Sequence, residues 1–425
     1  MTFSGFVCAA NAAAPANDNF ANAEQLNGIQ VHVSRTNVEA TKEAGEPNHT
    51  SNVGGKSVWF VWTAPATRTM MLTNNRSNID SLLAVYTGSS LGALTKLASN
   101  DDISAPNRRS SVTFQAIAGT TYRFALDGYA NPNQPAQQGN FILDLESALS
   151  RQAADYDRDG KTDFSVFRPS DGTWYLISSA IDSFLPHKFG QAGDIPVPAD
   201  FDGDGHTNVA VFRPSNSTWY VKGDDDGYTW VQFGANGDIP MPGDFTGDGL
   251  ADFAVFRPSN GYWFVFDRVT SQITSQQFGA NGDVPVAGDY DLDNKTDFAV
   301  FRPSNGYWYV SGTKVGFKAA QFGAAGDKSV PGDYDADGII DFAVFRPSNG
   351  YWFVQRSSDN AFQAAQFGAN GDIPTVGDYD GDGKCDFAVF RPSNGYWYVS
   401  QSLDSSFRAM QWGTAGDVPV TTVAR

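Results

Sequence analysis

One unit recurs six times in the second two-thirds of this 425-residue chain, and no other feature limits the fold as strongly. Its first aspartate falls at Asp155, Asp200, Asp244, Asp289, Asp333 and Asp378, so the period is 44–45 residues. Self-similarity at such a period means units that bury their apolar faces against their neighbours. A late copy runs Gly377-Asp378-Tyr379-Asp380-Gly381-Asp382-Gly383-Lys384-Cys385-Asp386-Phe387-Ala388-Val389-Phe390-Arg391-Pro392-Ser393-Asn394-Gly395-Tyr396-Trp397-Tyr398-Val399.

Each unit reads as four short strands. They are a Val/Ile-Pro-Val lead-in, an alternating Asp-Phe-Ala-Val-Phe-Arg segment, Tyr-Trp-Tyr-Val after a Ser-Asn-Gly turn, and a Gln-Phe-Gly segment. Asn-Gly tolerates positive φ and is a strong hairpin signal. Helical periodicity is absent. Four antiparallel strands in about 44 residues make a propeller blade. The expected fold is all-β, with a closed propeller of six four-stranded blades over 150–425. Copy one lacks the Gly-Asp-Ile-Pro-Val lead-in, and Gly416–Val420 supplies a spare at the C-terminus. That last strand is expected to join the first blade.

The aspartates follow a frame Asp-x-Asp-x-Asp-Gly-x-x-Asp. Its candidate ligands are Asp155, Asp157, Asp159 and Asp163; Asp200, Asp202, Asp204 and Asn208; Asp244, Thr246, Asp248 and Asp252; Asp289, Asp291, Asp293 and Asp297; Asp333, Asp335, Asp337 and Asp341; and Asp378, Asp380, Asp382 and Asp386. Calcium takes six to eight hard oxygens at flexible distances, which alternate carboxylates on a tight turn can supply. An EF-hand needs Glu at position twelve and flanking helices. Position twelve here is Val166 or Val389, inside a strand. The loops carry 22 of the 47 acidic residues of a chain with net charge −18, and about six Ca²⁺ are expected to offset them. Asn208 loses a charge and Thr246 is a weaker ligand, so the second and third sites are expected to be the weakest.

These loops, followed by Asp-Phe-Ala-Val-Phe-Arg, resemble the FG-GAP/VCBS-type repeats of bacterial surface proteins and of the integrin α-subunit head. The resemblance implies calcium-loaded blades, although integrin-type propellers have seven.

Residues 17–147 carry no copy of the unit. Val58–Trp62, Ser81–Tyr86 and Thr121–Leu126 read as strands divided by Gly, Asn and Pro turns, a β-sandwich pattern. The stretch from Asn17-Asp18-Asn19-Phe20 through Leu83-Ala84-Val85-Tyr86-Thr87-Gly88 to Asn100-Asp101-Asp102 resembles the jelly-roll domains of the pre-peptidase C-terminal type. Glu43, Glu46, Asp101 and Asp102 form a candidate further calcium set. Residues 1–16 read as a residual leader, with Ala10-Asn11-Ala12 fitting a cleavage site.

The acidic balance argues against nucleic acid, and no apolar run is long enough to span a membrane. The four histidines, His32, His49, His187 and His206, form no cluster, and no phosphate loop or zinc spacing occurs. The expectation is a non-catalytic, monomeric, secreted or bacterial cell-surface module for adhesion or for glycan or protein binding. The alternatives are a spacer or an accessory part of an extracellular carbohydrate-active enzyme. The candidate ligand contacts are Tyr262, Tyr307, Tyr351 and Tyr396 with Arg257, Arg302, Arg346 and Arg391. Against this stands a structural reading in which Trp packs between blades and Arg pairs with the Asp of Gly-Asp-Ile-Pro, such as Asp238 or Asp372.

Overall fold

The computed structural model describes residues 13–28, 31–65, 67–74, 77, 79–102, 108–131, 134–147, 154–157, 159–179, 183–203, 207–223 and 227–420. The core of the expected leader, residues 1–12, and the ligand candidate Asp204 lie outside them. Contacts divide the chain into two compact units, one ending at Leu145 and the other running on from Glu146. Both are built of strands; the described helices are two three-residue 3₁₀ turns, Phe20–Asn22 and Leu91–Ala93.

In the first unit a five-stranded sheet has the order Glu24–Leu26, Val58–Thr63, Thr121–Gly128, Ser81–Thr87, Thr95–Asn100. A four-stranded sheet has the order Val31–Thr36, Asn140–Ser147, Arg68–Thr73, Ser111–Ala116. Strand alternation explains why they share one core. Val58, Phe60 and Trp62 leave one face of their strand and pack in a single cluster with Phe114, Phe141 and Leu143 of the other sheet. Trp59 points the opposite way, against Phe20, Ala84 and Tyr86.

The described strands of the second unit form six four-stranded antiparallel sheets, five of them meanders of consecutive strands, the arrangement found in propeller blades. The second strands are Phe164–Arg168, Ala210–Arg213, Phe253–Arg257, Phe298–Arg302, Phe342–Arg346 and Phe387–Arg391. Each is followed by a third strand centred on Trp174, Trp219, Trp263, Trp308, Trp352 or Trp397, all fully buried. The Trp indole N–H donates to a backbone carbonyl at the end of the fourth strand in every sheet, as in Trp308 Nε1 to Phe322 O at 2.8 Å. A buried indole with its one donor satisfied is a core residue.

First strands are only two residues long, and the C-terminal Val418–Pro419 fills that place in the first sheet by pairing with Val166 and Phe167. Apolar clusters join successive sheets: Phe201 and Trp219 of the second pack with Phe253 and Val255 of the third. Trp397 and Tyr379 of the sixth pack with Phe164 and Val166 of the first.

Candidate metal centre

Each aspartate loop is pinned before it turns. The residue preceding the first aspartate bridges the ninth loop position, as in Gly332 with Asp341 or Gly377 with Asp386. The eighth-position amide donates to the first-position carbonyl of the preceding loop: Ile340 N to Asp289 O at 2.9 Å, Cys385 N to Asp333 O at 2.7 Å. The series returns to its start through Thr162 N to Asp378 O at 2.6 Å. A Cβ on Gly332 would lie 2.7 Å from Cys385 Sγ, so that glycine makes room for the next loop. Cys385 is accordingly a half-buried space-filler, its thiol held well above the usual range by burial and by Asp333, Asp378 and Asp386.

Within a loop the first carboxylate organises the turn. In the fifth, Asp333 accepts backbone N–H bonds from Asp335, Ala336, Asp337 and Gly338 at 2.6–3.3 Å. The fourth position then takes positive φ, as at Ala336 (64°) and Gly381 (82°). Asn294, standing where other loops have Gly, sits at φ 63°, a conformation that Asn tolerates.

The ninth-position carboxylate ties the loop to the connection between the third and fourth strands. Asp341 Oδ2 accepts from Tyr334 N at 2.8 Å and Oδ1 from Ser357 N at 2.6 Å, while Ser357 Oγ donates to Asp337 Oδ2 at 2.7 Å. Ser179, Thr313 and Ser402 dock their own loops through the same amide bond. This hydroxyl residue, five places after Trp in four of the six copies, escaped the sequence reading, although Ser179, Thr313, Ser357 and Ser402 repeat at that spacing.

Four loops bring the carboxylates of positions one, three and nine together, with ligand atoms within 4.8 Å of one another: Asp155/Asp157/Asp163, Asp289/Asp291/Asp297, Asp333/Asp335/Asp341 and Asp378/Asp380/Asp386. The fifth-position residues Asp159, Asp293, Asp337 and Asp382 lie outside these groups, bonded to the docking hydroxyls. Two charges at this distance repel by about 3–4 kcal/mol at an effective dielectric of 20. Burial first, and then the neighbouring carboxylates, pushes Asp163, Asp297 and Asp341 up to about 7 and Asp155 and Asp386 to about 8. Asp291 Oδ1 and Asp335 Oδ1 are buried without a hydrogen-bond partner. Hard, crowded, partly unpartnered oxygens are a donor set that fits a divalent hard cation.

The second and third loops differ. In the second, Asn208 Nδ2 donates to Asp202 Oδ2 at 3.2 Å, an amide bond where other loops face carboxylate to carboxylate. In the third, Thr246 replaces a carboxylate, and Thr246 Oγ1 and Asp252 Oδ1 are buried without partners.

Among the described residues of the first unit one acidic group of this kind occurs, at Asp80, Asp101 and Asp102. Its composition corrects the expectation of Glu43 and Glu46 as companions of Asp101 and Asp102. Glu43 accepts from Phe20 N at 3.0 Å. Glu46 is buried against His49 Nε2 at 2.8 Å, and the other ring nitrogen, Nδ1, meets Tyr86 Oη at 2.9 Å.

At the opposite end of each second strand, charge is closed internally. Arg168, Arg213, Arg257, Arg302, Arg346 and Arg391 pair through Nε with Asp417, Asp194, Asp238, Asp283, Asp327 and Asp372 at 2.6–2.8 Å. A second bond runs from Nη2 to the other carboxylate oxygen. Each guanidinium also lies over the aromatic ring that follows Trp, as Arg346 over Phe353 at 4.5 Å. The arginines put forward as ligand contacts are therefore already engaged. Tyr262, Tyr307, Tyr351 and Tyr396 are half-buried, their rings stacked on Phe264, Tyr309, Phe353 and Tyr398 at 5.8–5.9 Å. A cleft of about 300 Å³ opens where Trp412 breaks the repeat, lined also by Arg168, Tyr175 and Thr414.

The family model of the FG-GAP-like repeat matches residues 333–389, from the first aspartate of the fifth loop into the second strand of the sixth sheet. No curated protein matches the chain. Among solved structures it is similar to virginiamycin B lyase from Staphylococcus aureus, at 6% identity and TM-score 0.40 over 64% of this chain and 95% of that one. It is also similar to TolB from Acinetobacter baumannii, at 18% identity and TM-score 0.44 over 63% of this chain and 64% of that one. Residues 333–389 thus carry an FG-GAP-like repeat within an all-β chain.

Proposed function

We propose that this protein is a secreted or cell-surface calcium-binding repeat protein. In this reading a jelly-roll domain precedes a closed propeller of six VCBS-type blades, and the assembly is a non-catalytic adhesion or glycan-binding module. One observation carries the calcium assignment: in four loops three carboxylates crowd within 4.8 Å of one another, while the aspartates at the far end of the same strands each pair with an arginine. Calcium would be held by the first-, third- and ninth-position carboxylates of the first, fourth, fifth and sixth loops. When bound, it would supply the positive charge these groups lack and fasten each loop to its sheet. Closure of the propeller is supported by the pairing of Val418–Pro419 with the first sheet and by the Thr162 to Asp378 bond.

For glycan capture the candidates are Tyr262, Tyr307, Tyr351 and Tyr396 with the cleft beside Trp412. Repetition of weak contacts raises avidity without a new contact. The test is a glycan-array screen in millimolar calcium, with hits measured by calorimetry against the fourfold Tyr→Ala variant and Trp412→Phe. Saturable binding weakened tenfold or more by either change supports the module. The engaged arginines and buried tryptophans favour a second reading, a calcium-stabilised spacer; saturable binding to neither glycans nor extracellular proteins by a calcium-loaded, folded chain would select it.

A further inference from the structure

In the third repeat the docking position five residues after Trp263 holds Arg268 in place of the Ser or Thr found after Trp174, Trp308, Trp352 and Trp397. The exchange has visible consequences. Asp252 Oδ1, whose counterparts accept the docking amide, is buried and unpartnered, and so is Arg268 Nη1. The Arg268 guanidinium lies 5.9 Å from the ring of Phe201, inside the second loop, and 5.6 Å from that of Phe253, which directly follows the third. These two rings stack at 5.2 Å, so the cation sits where the two loops meet. It feels the carboxylates of both, Asp200 and Asp202 from one and Asp248 and Asp252 from the other, against the desolvation that draws its own pKa down. Asp267 beside it is bonded to its own turn through Val269 N and Thr270 N, and with burial, Asp244 and Asp248 it helps push Asp252 up to about 8, so the third loop carries more negative charge than its own ligands. Lys318 and Arg408 also stand 4.9 Å over Phe342 and Phe164. They reach out from fourth strands, and Thr313 and Ser402 still dock the loops of their sheets. Among the described docking positions only Arg268 stands in place of a Ser or Thr.

We infer that the Arg268 guanidinium is a built-in counter-ion for the second and third aspartate loops, replacing metal there and leaving calcium to the first, fourth, fifth and sixth. The inference rests on the calcium reading above. It accounts for both departures from the frame: Asn208 and Thr246 each remove a carboxylate from the two loops that meet at Arg268. A guanidinium is charged at every physiological pH and spreads its donors over several acceptors. It can therefore serve two loops at once without a site of fixed geometry.

The test is equilibrium dialysis of the full chain against calcium, with metal counted per chain, for wild type, Arg268→Ser, Arg268→Lys, Asp248→Asn and Asp341→Asn. Arg268→Ser should bind one more ion than wild type at millimolar calcium, and in chelator its Tm should drop by several degrees. Arg268→Lys keeps the charge and should keep the wild-type count, which separates charge from packing. Asp341→Asn should lose one ion, and Asp248→Asn none. An unchanged count together with an unchanged chelated Tm in Arg268→Ser would overturn the counter-ion, as would loss of an ion in Asp248→Asn. Failure of the calcium reading looks different: wild type binds nothing and Asp341→Asn changes nothing, while the chelated Tm of Arg268→Ser still reports on the counter-ion.

Discussion

The two ends of each second strand carry aspartates in opposite electrostatic states. At the Arg346 end, Asp327 is buried and fully answered: two guanidinium bonds at 2.7 and 2.8 Å and a backbone N–H from Ala324 at 2.8 Å. At the Phe342 end, Asp341 faces Asp333 and Asp335 within 4.8 Å and meets no described cation of its own repeat. Burying a charge without a partner costs several kcal/mol. A fold that repeats the arrangement four times has either neutral carboxyls there or a partner from solution. The difference teaches that one end closes its charge internally, while the other holds crowded carboxylates with raised pKa values.

The largest effect expected from breaking this contrast is at the closed end. Arg346→Ala leaves Asp327 buried and unpaired and should cost about 2–4 kcal/mol, read from denaturant unfolding. The loss should be the same with calcium and with chelator, because the pair needs no ion. A calcium-dependent loss would merge the two ends.

At the open end the sign should reverse with conditions. Asp341→Asn in chelator relieves repulsion and should raise stability by about 1 kcal/mol, while in millimolar calcium it should lower it by at least as much. Thermal melts of both proteins in both buffers read the crossing directly.

Acidity sharpens the comparison further. Asp163, Asp297 and Asp341 at about 7, and Asp155 and Asp386 at about 8, stand above the unfolded carboxylate value near 4. A raised folded pKa gives stability that is present below about pH 4 and lost as pH climbs through 7–8. Chelated protein should therefore melt several degrees lower at pH 8 than at pH 5. With calcium the trend should flatten or invert, since protons then compete with the ion. The smallest effect is expected from Tyr351→Ala, a half-buried ring on the strand surface, at about 1 kcal/mol or less in either buffer.

Much of this was legible before any coordinates. The period placed the four strands of each sheet, and the missing lead-in of the first copy matched the spare Val418–Pro419 at the other end. The Arg–Asp pairing and the buried Trp were one of two readings, because six regular copies suit packing and ligand binding alike; only the folded arrangement shows the ion pairs and the burial. What the sequence did not yield arises from side chains that meet across connections. Ser357 reaches Asp341 over 16 residues, a separation that Ser179, Thr313 and Ser402 share; the spacing was present, but a lone hydroxyl on a connection does not name its partner. Arg268 joins two repeats and has no counterpart to be noticed by repetition. Asp80 precedes the strand Ser81–Thr87 and Asp101 follows its antiparallel neighbour Thr95–Asn100, so only the pairing of these strands brings together two positions 21 residues apart. Glu46 was read as a ligand because it is acidic; that it answers His49 becomes evident only once both are buried.

Calcium uptake at the open end decides between a metal centre and a set of ordinary turns. Differential scanning calorimetry of the full chain in chelator, followed by calcium back-titration with bound metal counted, tests this most directly. The predicted result is a large drop in Tm, recovered as at least four ions bind per chain, with recovery rising with free calcium as mass action requires. A melting curve unmoved by chelator, with no metal bound at millimolar calcium, would contradict it and make the aspartate loops ordinary turns.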